Sequence, residues 1–190
     1  MYKRQQLFSE AFSRDTISMS NVLHALAQFQ LVLISDDAKY DRYIAGDLPF
    51  SEQEERGFAL FAIHCQSCHT PPLFTSHQFK RNGLSIDSVL NDRGRFEVTT
   101  DSADMLRFKI PSLRNVAYTF PYMHDGRFKT LSEVMDHYQK AGIAHHEEHE
   151  FQSDMLLSDN DKVDLIAFLR TLTDRSYMFS PLTAFPPIAR

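Results

Sequence analysis

The 190-residue sequence has no tryptophan, only two cysteines and no long apolar run. The two cysteines lie three positions apart, which excludes a scaffold built on several disulfides. The longest aliphatic run, residues 31–34, is far too short to cross a bilayer, so the sequence excludes a membrane-spanning helix. The formal net charge of −5 gives no excess of lysine and arginine, which argues against a nucleic-acid surface.

The overall composition is that of a globular chain. Hydrophobic residues make up 43% and charged residues 24% of the sequence. A chain of this length is expected to form one ordinary domain with a sizeable core, so a single domain over residues 1–190 is predicted. The 16 phenylalanines suit either a core or a wall around an apolar ligand.

Capping residues and apolar periodicity predict two helices in the first third of the chain. Ser18 is a favourable cap, and the apolar residues that follow it at spacings of three and four predict a helix ending near residue 35. Ser51 and Glu54 form a capping box that opens a second helix. This second helix is expected to run directly into Cys65.

The same patterns predict two helices in the last third of the chain. Thr130 and Glu133 form a capping box, and Gly142 is expected to end this third helix. Ser158 is expected to open a fourth helix, which carries a regular apolar face.

The segment between the second and third helices has no sustained periodicity. Residues 70–118 contain several prolines and glycines, which predicts a long ordered loop with a short helix at 86–90. A loop of this length in a compact domain usually wraps around something. Strand patterns are weak throughout, so the predicted fold class is all-α with long ordered loops.

The most specific motif is the C-x-x-C-H sequence of residues 65–69, which is the attachment sequence for c-type haem. One helical turn places Cys65 and Cys68 where they can bond the two vinyl groups of one haem, and His69 is aimed at the iron as proximal ligand. The alternatives are a thioredoxin-like redox pair and half of a zinc site. The redox pair would need a preceding strand, and the zinc site would need a second cysteine pair.

The remaining histidines have weaker assignments. His145, His146 and His149 lie among acidic residues, a pattern more typical of a solvated loop than of a metal tract. His64 directly precedes the first cysteine and is expected to pack near the haem edge. The histidines expected to be merely structural are His24 and His77.

Further stretches of the sequence share a distinctive pattern with a known family. They are YDRY at 40–43, RGFALF at 56–61, PLFT at 72–75, FKIPSLRNV at 108–116, PYMHDGRFKTL at 121–131 and LIAFL at 165–169. Together with the C-x-x-C-H motif, they make the chain resemble bacterial di-haem cytochrome c peroxidases and their MauG-like relatives. The resemblance is to the C-terminal haem domain only.

The resemblance implies an all-α cytochrome c domain with one covalent haem c. Family members carry a second, N-terminal haem domain that reacts with hydrogen peroxide, so Met1 is expected to fall inside a longer ancestral or full-length chain. The first residues lack the apolar segment of a signal peptide, yet covalent haem attachment implies a periplasmic protein. The implied partners are a small electron-donor protein, the N-terminal haem domain of the same enzyme, and hydrogen peroxide at the other haem.

The resemblance also suggests the distal ligand of the haem iron. The family position that holds a tyrosine in MauG-like proteins and a methionine in peroxidases falls on Tyr138. Met135 lies one turn earlier on the same helical face and is the alternative. Both residues could instead belong to the core of an amphipathic helix. Met123 and His137 are weaker candidates.

Four more residues receive roles from the resemblance. His124 is expected to lie beside the haem, and Arg114 is expected to bind a haem propionate or else to form a structural salt bridge. The backbone carbonyls of Thr119 and Pro121 match those that hold a calcium ion in relatives. The asparagine that completes that site lies outside this sequence, so a calcium ion would have too few ligands.

The expected function is the electron-transfer domain of a di-haem peroxidase-type oxidoreductase, which uses either hydrogen peroxide or, in a MauG-like variant, a protein side chain as substrate. The fragment alone is expected to have little peroxidase activity, because a six-coordinate iron would offer peroxide no open position. No residue of the fragment is assigned a catalytic role. The competing interpretation is a stand-alone mono-haem electron carrier. A thiol- or zinc-based protein without haem is the third.

Overall fold

Local capping determines where the main helices begin. In the computed structural model, which describes residues 3–13, 17–144 and 155–181, all four predicted starts are occupied by cap residues. The Ser18 hydroxyl accepts a hydrogen bond from the Asn21 amide at 3.2 Å. Thr130 and Glu133 exchange hydrogen bonds of 2.8 and 3.2 Å. The helices are α1 (Lys3–Phe12), α2 (Met19–Leu31), α3 (Lys39–Ala45), α4 (Glu52–His64), α5 (Phe96–Thr99), α6 (Leu131–Ala144), α7 (Asp159–Thr171) and α8 (Arg175–Met178).

Helix ends and helices without a serine or threonine cap differ from the sequence prediction. The α2 helix ends at Leu31 rather than near residue 35, and α6 continues through Gly142 to Ala144, so the predicted stop at this glycine is wrong. The short helices α1 and α3 were not predicted. The N-cap residue of α3 is Ala38, whose backbone amide donates to the Asp41 carboxylate at 2.9 Å. Since alanine has no side-chain acceptor, the sequence shows only half of a capping box here.

The predicted helix at 86–90 is also absent. The Asp87 carboxylate accepts hydrogen bonds from the amides of Val89 and Leu90 at 2.8 and 2.9 Å. This local bonding closes a turn in place of a helix, because an aspartate side chain can satisfy amides that a helix would otherwise use. The remaining regular structure of the 70–118 segment consists of α5, two single-turn 3₁₀ helices (Ser102–Asp104 and Val116–Tyr118) and two short strands.

The two strands form a small antiparallel ribbon. Strand β1 (Phe79–Lys80) pairs with β2 (Phe108–Lys109), with Phe79 opposite Lys109 and Lys80 opposite Phe108. Apart from this ribbon and two isolated bridges, the described residues have no strand pairing. The all-α fold class is therefore confirmed. No helix within 3–13, 17–144 or 155–181 is long and apolar enough to cross a membrane.

The described residues divide into two compact units, one from 37 to 175 and one from the residues before and after it. The single domain over 1–190 stays a prediction. In the larger unit, α4 packs against α7 around an aromatic core. Phe61 lies 5.0 Å from Phe168 and 5.6 Å from Phe74, measured between ring centroids, and all three side chains are fully buried. This core fixes the end of α4, where the cysteine motif begins.

Candidate functional site

The C-x-x-C-H motif forms a tight turn directly after α4. The Cys65 amide donates to the Phe61 carbonyl at 2.8 Å, which continues the helical bonding by one residue. The amides of Cys68 and His69 then both donate to the Cys65 carbonyl, at 3.2 and 2.9 Å. The turn places both cysteines and the histidine on the lining of one cavity.

His69 is held in the orientation and protonation state of a metal ligand. Its Nδ1 atom lies 3.1 Å from the carbonyl oxygen of Phe74 and 3.1 Å from that of Pro111. Since carbonyl oxygens only accept hydrogen bonds, Nδ1 carries the ring proton and Nε2 keeps its lone pair. Burial lowers the pKa of His69, which favours the neutral ring. Such a backbone contact on the far nitrogen is typical of histidines that bind metals.

The two thiols do not resemble a redox pair. Cys65 and Cys68 are not joined in a disulfide. Burial, followed by the nearby Cys68, raises the pKa of the Cys65 thiol to about 12. Thioredoxin-like pairs instead lower the pKa of the attacking thiol. The structure therefore gives no support to the redox interpretation.

Metal clusters are equally absent from the part of the chain that the structure describes. No group of three or more His, Cys, Asp or Glu side chains there could hold a metal ion. The zinc interpretation consequently finds no ligand set in those residues. The His145, His146 and His149 tract lies outside the described residues.

A cavity of about 570 Å³ adjoins the motif. Its volume is within the range of roughly 300 to 1,000 Å³ that is usual for cofactor and ligand sites. The lining is mostly apolar and combines the cysteine motif, the β1–β2 ribbon, the loop around Pro121 and one face of α6. Of the residues expected at the site, those that line this cavity are His64, Cys65, Cys68, His69, Thr119, Pro121, Met123, His124, Met135 and Tyr138.

Both candidates for the distal ligand lie on the α6 face of the cavity. Met135 is buried, with only 5% of its surface exposed. Burial raises the pKa of the Tyr138 hydroxyl, and the thiols of Cys65 and Cys68 raise it further, which shows that the phenol lies close to the motif. Since the two residues are one turn apart on the same face, the choice of Tyr138 over Met135 stays a prediction.

The two weaker candidates are both held by Asn82. Met123 lines the cavity, and its sulfur accepts a hydrogen bond of 3.5 Å from the Asn82 side chain. His137 is not part of the lining, and its Nε2 donates to the Asn82 carbonyl at 2.8 Å. His137 therefore uses one ring nitrogen to fasten α6 to the segment after β1.

His124 lines the cavity, and its place beside a haem stays a prediction. Its ring stacks on Phe108 with centroids 3.7 Å apart and planes 11° apart. Its Nε2 lies 4.0 Å from a carboxylate oxygen of Asp125. Burial alone would raise the pKa of Asp125, but hydrogen bonds from Arg127 lower it overall, so this carboxylate stays ionised beside His124.

Arg114 does not line the cavity, so the expected contact with a propionate finds no support. Its guanidinium donates to both carboxylate oxygens of Asp41, at 2.9 and 2.7 Å, and its Nε donates to the Pro72 carbonyl at 2.9 Å. This is the structural salt bridge that the sequence left as the alternative. The cations that do line the cavity are Lys80, Arg81 and Lys109, none of which was predicted from the sequence.

Replacing Asp41 with asparagine is expected to cost about 2 kcal/mol of stability at neutral pH, because Arg114 would be left largely buried without its partner. Burial alone would raise the pKa of Asp41, but hydrogen bonds from Arg114 and from the Ala38 amide lower it overall. The pair therefore stabilises the fold above the carboxyl's unfolded pKa and loses its effect as pH falls through the lower folded value.

Urea unfolding from neutral to acidic pH tests this expectation. The difference between wild type and Asp41→Asn should shrink as the pH falls. Asp37→Asn is a matched control, because Asp37 also pairs with an arginine, Arg42, at 2.7 Å but on the exposed surface. A loss in the control as large as that in Asp41→Asn would contradict the special role of the buried pair.

Comparison with known proteins gives matches to two family models. A family model described as di-haem cytochrome c peroxidase matches residues 1–48, and a model described as cytochrome c matches residues 54–173. The second match includes the motif, the ribbon, α6 and α7, and it spans more than half of the chain. The chain belongs to the cytochrome c family. A c-type haem fits the site, which offers two thiols, a neutral imidazole with an available Nε2 and a mostly apolar cavity.

Individual relatives of this cytochrome c domain are larger proteins. The methylamine utilization protein MauG of Methylophilus methylotrophus is 36% identical over 173 residues, which cover 87% of this chain and 50% of that protein. Cytochrome c551 peroxidase of Nitrosomonas europaea is 29% identical and is matched over 98% of this chain and 54% of its own length. The chain thus spans about half the length of the curated relatives it matches.

A solved structure gives the same picture. The crystal structure of a MauG-like protein associated with microbial copper homeostasis has a TM-score of 0.79 and 32% sequence identity. The match covers 98% of this chain and 63% of that one. The resemblance to di-haem cytochrome c peroxidases and MauG-like proteins, which the sequence motifs indicated, is confirmed.

Proposed function

We propose that this chain is the electron-transfer haem domain of a di-haem cytochrome c peroxidase or MauG-like oxidoreductase. One observation carries the proposal. The C-x-x-C-H motif and the face of α6 that bears Met135 and Tyr138 line the same cavity. A bound c-type haem supplies one-electron chemistry at its iron. The protein supplies attachment, orientation and exclusion of water.

The residues around the cavity divide this work. Cys65 and Cys68 attach the porphyrin, and His69 presents Nε2 because two carbonyls hold its Nδ1. Tyr138 would hold the haem iron from the α6 side of the cavity, with Met135 as the alternative. With His69 and a second residue of this chain as ligands, a bound haem would offer hydrogen peroxide no open position and would serve electron transfer.

The remaining parts of the enzyme follow from the relatives. A second haem domain, outside these 190 residues, reduces hydrogen peroxide or, in a MauG-like variant, oxidises a protein side chain. A small donor protein supplies electrons, and the enzyme works in the periplasm, where the haem is attached. A calcium ion bound by the carbonyls of Thr119 and Pro121 belongs to the same proposal, and it needs further oxygen ligands from the other domain.

The direct test is expression of the chain in the periplasm of a bacterium that has a haem-attachment system. We expect one haem per chain, shown by the pyridine haemochrome spectrum and by an intact mass equal to the polypeptide plus one haem. The matched control, Cys65→Ala with Cys68→Ala, should carry no covalent haem. Wild-type protein that stays colourless, with the mass of the bare chain, would contradict the proposal.

The sequence of the gene distinguishes the stand-alone carrier from the di-haem enzyme. A second C-x-x-C-H motif upstream in the same reading frame supports the di-haem enzyme. A reading frame that contains only the motif at residues 65–69 supports the mono-haem carrier.

A further inference from the structure

Helix α2 has an apolar face that is exposed to solvent. Four apolar residues follow one another at spacings of three and four along the helix, so their side chains lie on the same side of it. Each of the four is more than half exposed, and none of the 13 residues of this helix is buried. These residues, which we name the α2 face, are Met19, Leu23, Leu26 and Phe29.

The segment around this face also lacks charge. Residues 17–34 contain no aspartate, glutamate, lysine or arginine, although charged residues make up 24% of the whole chain. Helix α7, which has the same length, shows the usual arrangement. Phe168 and Leu169 of α7 are buried, whereas its residues Asp159 and Arg170 are exposed. A helix with exposed apolar residues and no formal charge fits contact with further protein better than contact with water.

The two family models divide the chain between α2 and the haem motif. The match to di-haem cytochrome c peroxidase, at residues 1–48, contains the whole of α2, whereas the match to cytochrome c, at residues 54–173, contains the motif. The helix also belongs to a different compact unit from the motif, whose unit spans residues 37–175. Both divisions separate α2 from the residues that hold the C-x-x-C-H motif.

The relatives indicate what covers the α2 face. The sequence matches only 50% of the MauG protein of Methylophilus methylotrophus and 54% of cytochrome c551 peroxidase, so about half of each relative lies beyond the match. A helix packs its apolar side against other elements of its own domain. The α2 face therefore fits a domain core to which these 190 residues contribute only a part.

We infer that the α2 face packs against the second haem domain of the proposed enzyme and is buried there in the complete protein. The inference rests on the proposed function, because that function supplies the domain that covers the face. The occupant is a segment of the same polypeptide outside these 190 residues. Its contacting side chains are apolar, since α2 offers no formal charge for an ion pair.

The test compares two haem-loaded proteins, the 190-residue chain and the protein made from the complete reading frame. Hydroxyl-radical footprinting with mass spectrometry measures how fast each side chain is oxidised and hence how accessible it is to solvent. The reporters are the four residues of the α2 face. The control is Val163 on α7, which is 55% exposed and therefore matches Leu26 and Phe29 at 54%.

Because the core of a protein interface is fully buried, the four reporters should be oxidised about fivefold more slowly in the complete protein, while Val163 keeps its rate. If the reporters slow no more than Val163 in a complete protein that carries two haems, this inference is overturned and the proposed function stands. Protection that is already present in the 190-residue chain and is lost on dilution would show that a second copy covers the face, which also overturns the inference. A reading frame without a second C-x-x-C-H motif overturns both the di-haem function and this inference.

A pair of variants of the complete protein gives an independent measure. Leu26→Glu places a charge on the α2 face, and Val163→Glu places the same charge at an equally exposed position. Only Leu26→Glu should speed the oxidation of Met19 and Phe29, because a charge buried without a partner weakens the contact. Equal oxidation rates of Met19 and Phe29 in the two variants would count against the burial of this face and overturn the inference.

Discussion

Replacing Tyr138 with phenylalanine is expected to raise the midpoint potential of the loaded haem by on the order of 0.1 V, since axial ligands tune haem potentials over about 0.8 V. An anionic phenolate favours ferric iron, and its loss removes that preference. Burial raises the pKa of the Tyr138 hydroxyl, so the phenol stays protonated in the bare protein. Its ionisation would therefore depend on the ferric iron. Spectroelectrochemistry and electron paramagnetic resonance of the ferric protein measure the effect.

The matched control is Met135→Leu, which removes a sulfur from the same face of α6 with little change in volume. It should leave both the potential and the ferric signal unchanged. The reverse pattern, in which Met135→Leu changes the ferric signal and Tyr138→Phe does not, would assign the ligand to Met135. That outcome would indicate an ordinary electron-transfer haem, because a neutral sulfur ligand raises the potential.

The parts of the fold that the sequence predicted depend on short-range interactions. The starts of α2, α4, α6 and α7 are set by a serine or threonine whose hydroxyl accepts from an amide three residues later, so both partners stand close together in the sequence. The residues of the C-x-x-C-H motif likewise stand close together in the sequence. Asp87 also acts locally, but its hydrogen bonds favour a turn where apolar periodicity alone favoured a helix.

The parts that the sequence left open depend on contacts between distant residues. Asp41 and Arg114 are 73 positions apart, and no local sequence pattern predicts that they pair. His69 finds one of its carbonyl partners 42 positions later, at Pro111. The cavity-lining residues Lys80 and Phe108 come together only through the pairing of β1 with β2. The sequence therefore allows two roles for Arg114, and its contact with Asp41 is visible only in three dimensions.

Gly57 shows how a tertiary contact can reverse a local preference. A Cβ atom at this position would lie 2.0 Å from the Asp164 carbonyl oxygen and 2.9 Å from the Phe168 Cβ, both on α7. Real Cβ contacts are essentially never closer than 3.0 Å, so α4 and α7 could not keep their present spacing. Helix propensity alone favours alanine over glycine by about 1 kcal/mol. At Gly57, helix propensity therefore favours alanine, whereas the contact with α7 favours glycine.

The Gly57→Ala variant is therefore expected to lose about 3 kcal/mol of unfolding free energy, measured by urea denaturation. This is the upper end of the usual cost of overpacking, because the backbone of α7 must move to accept the new Cβ atom. Ala59→Gly, on the exposed side of the same helix, is the control and should lose only about 1 kcal/mol. A Gly57→Ala variant more stable than wild type would show that α4 and α7 can separate freely. The expected loss would also reduce haem attachment, since Phe61 and the motif after it are held in place by this contact.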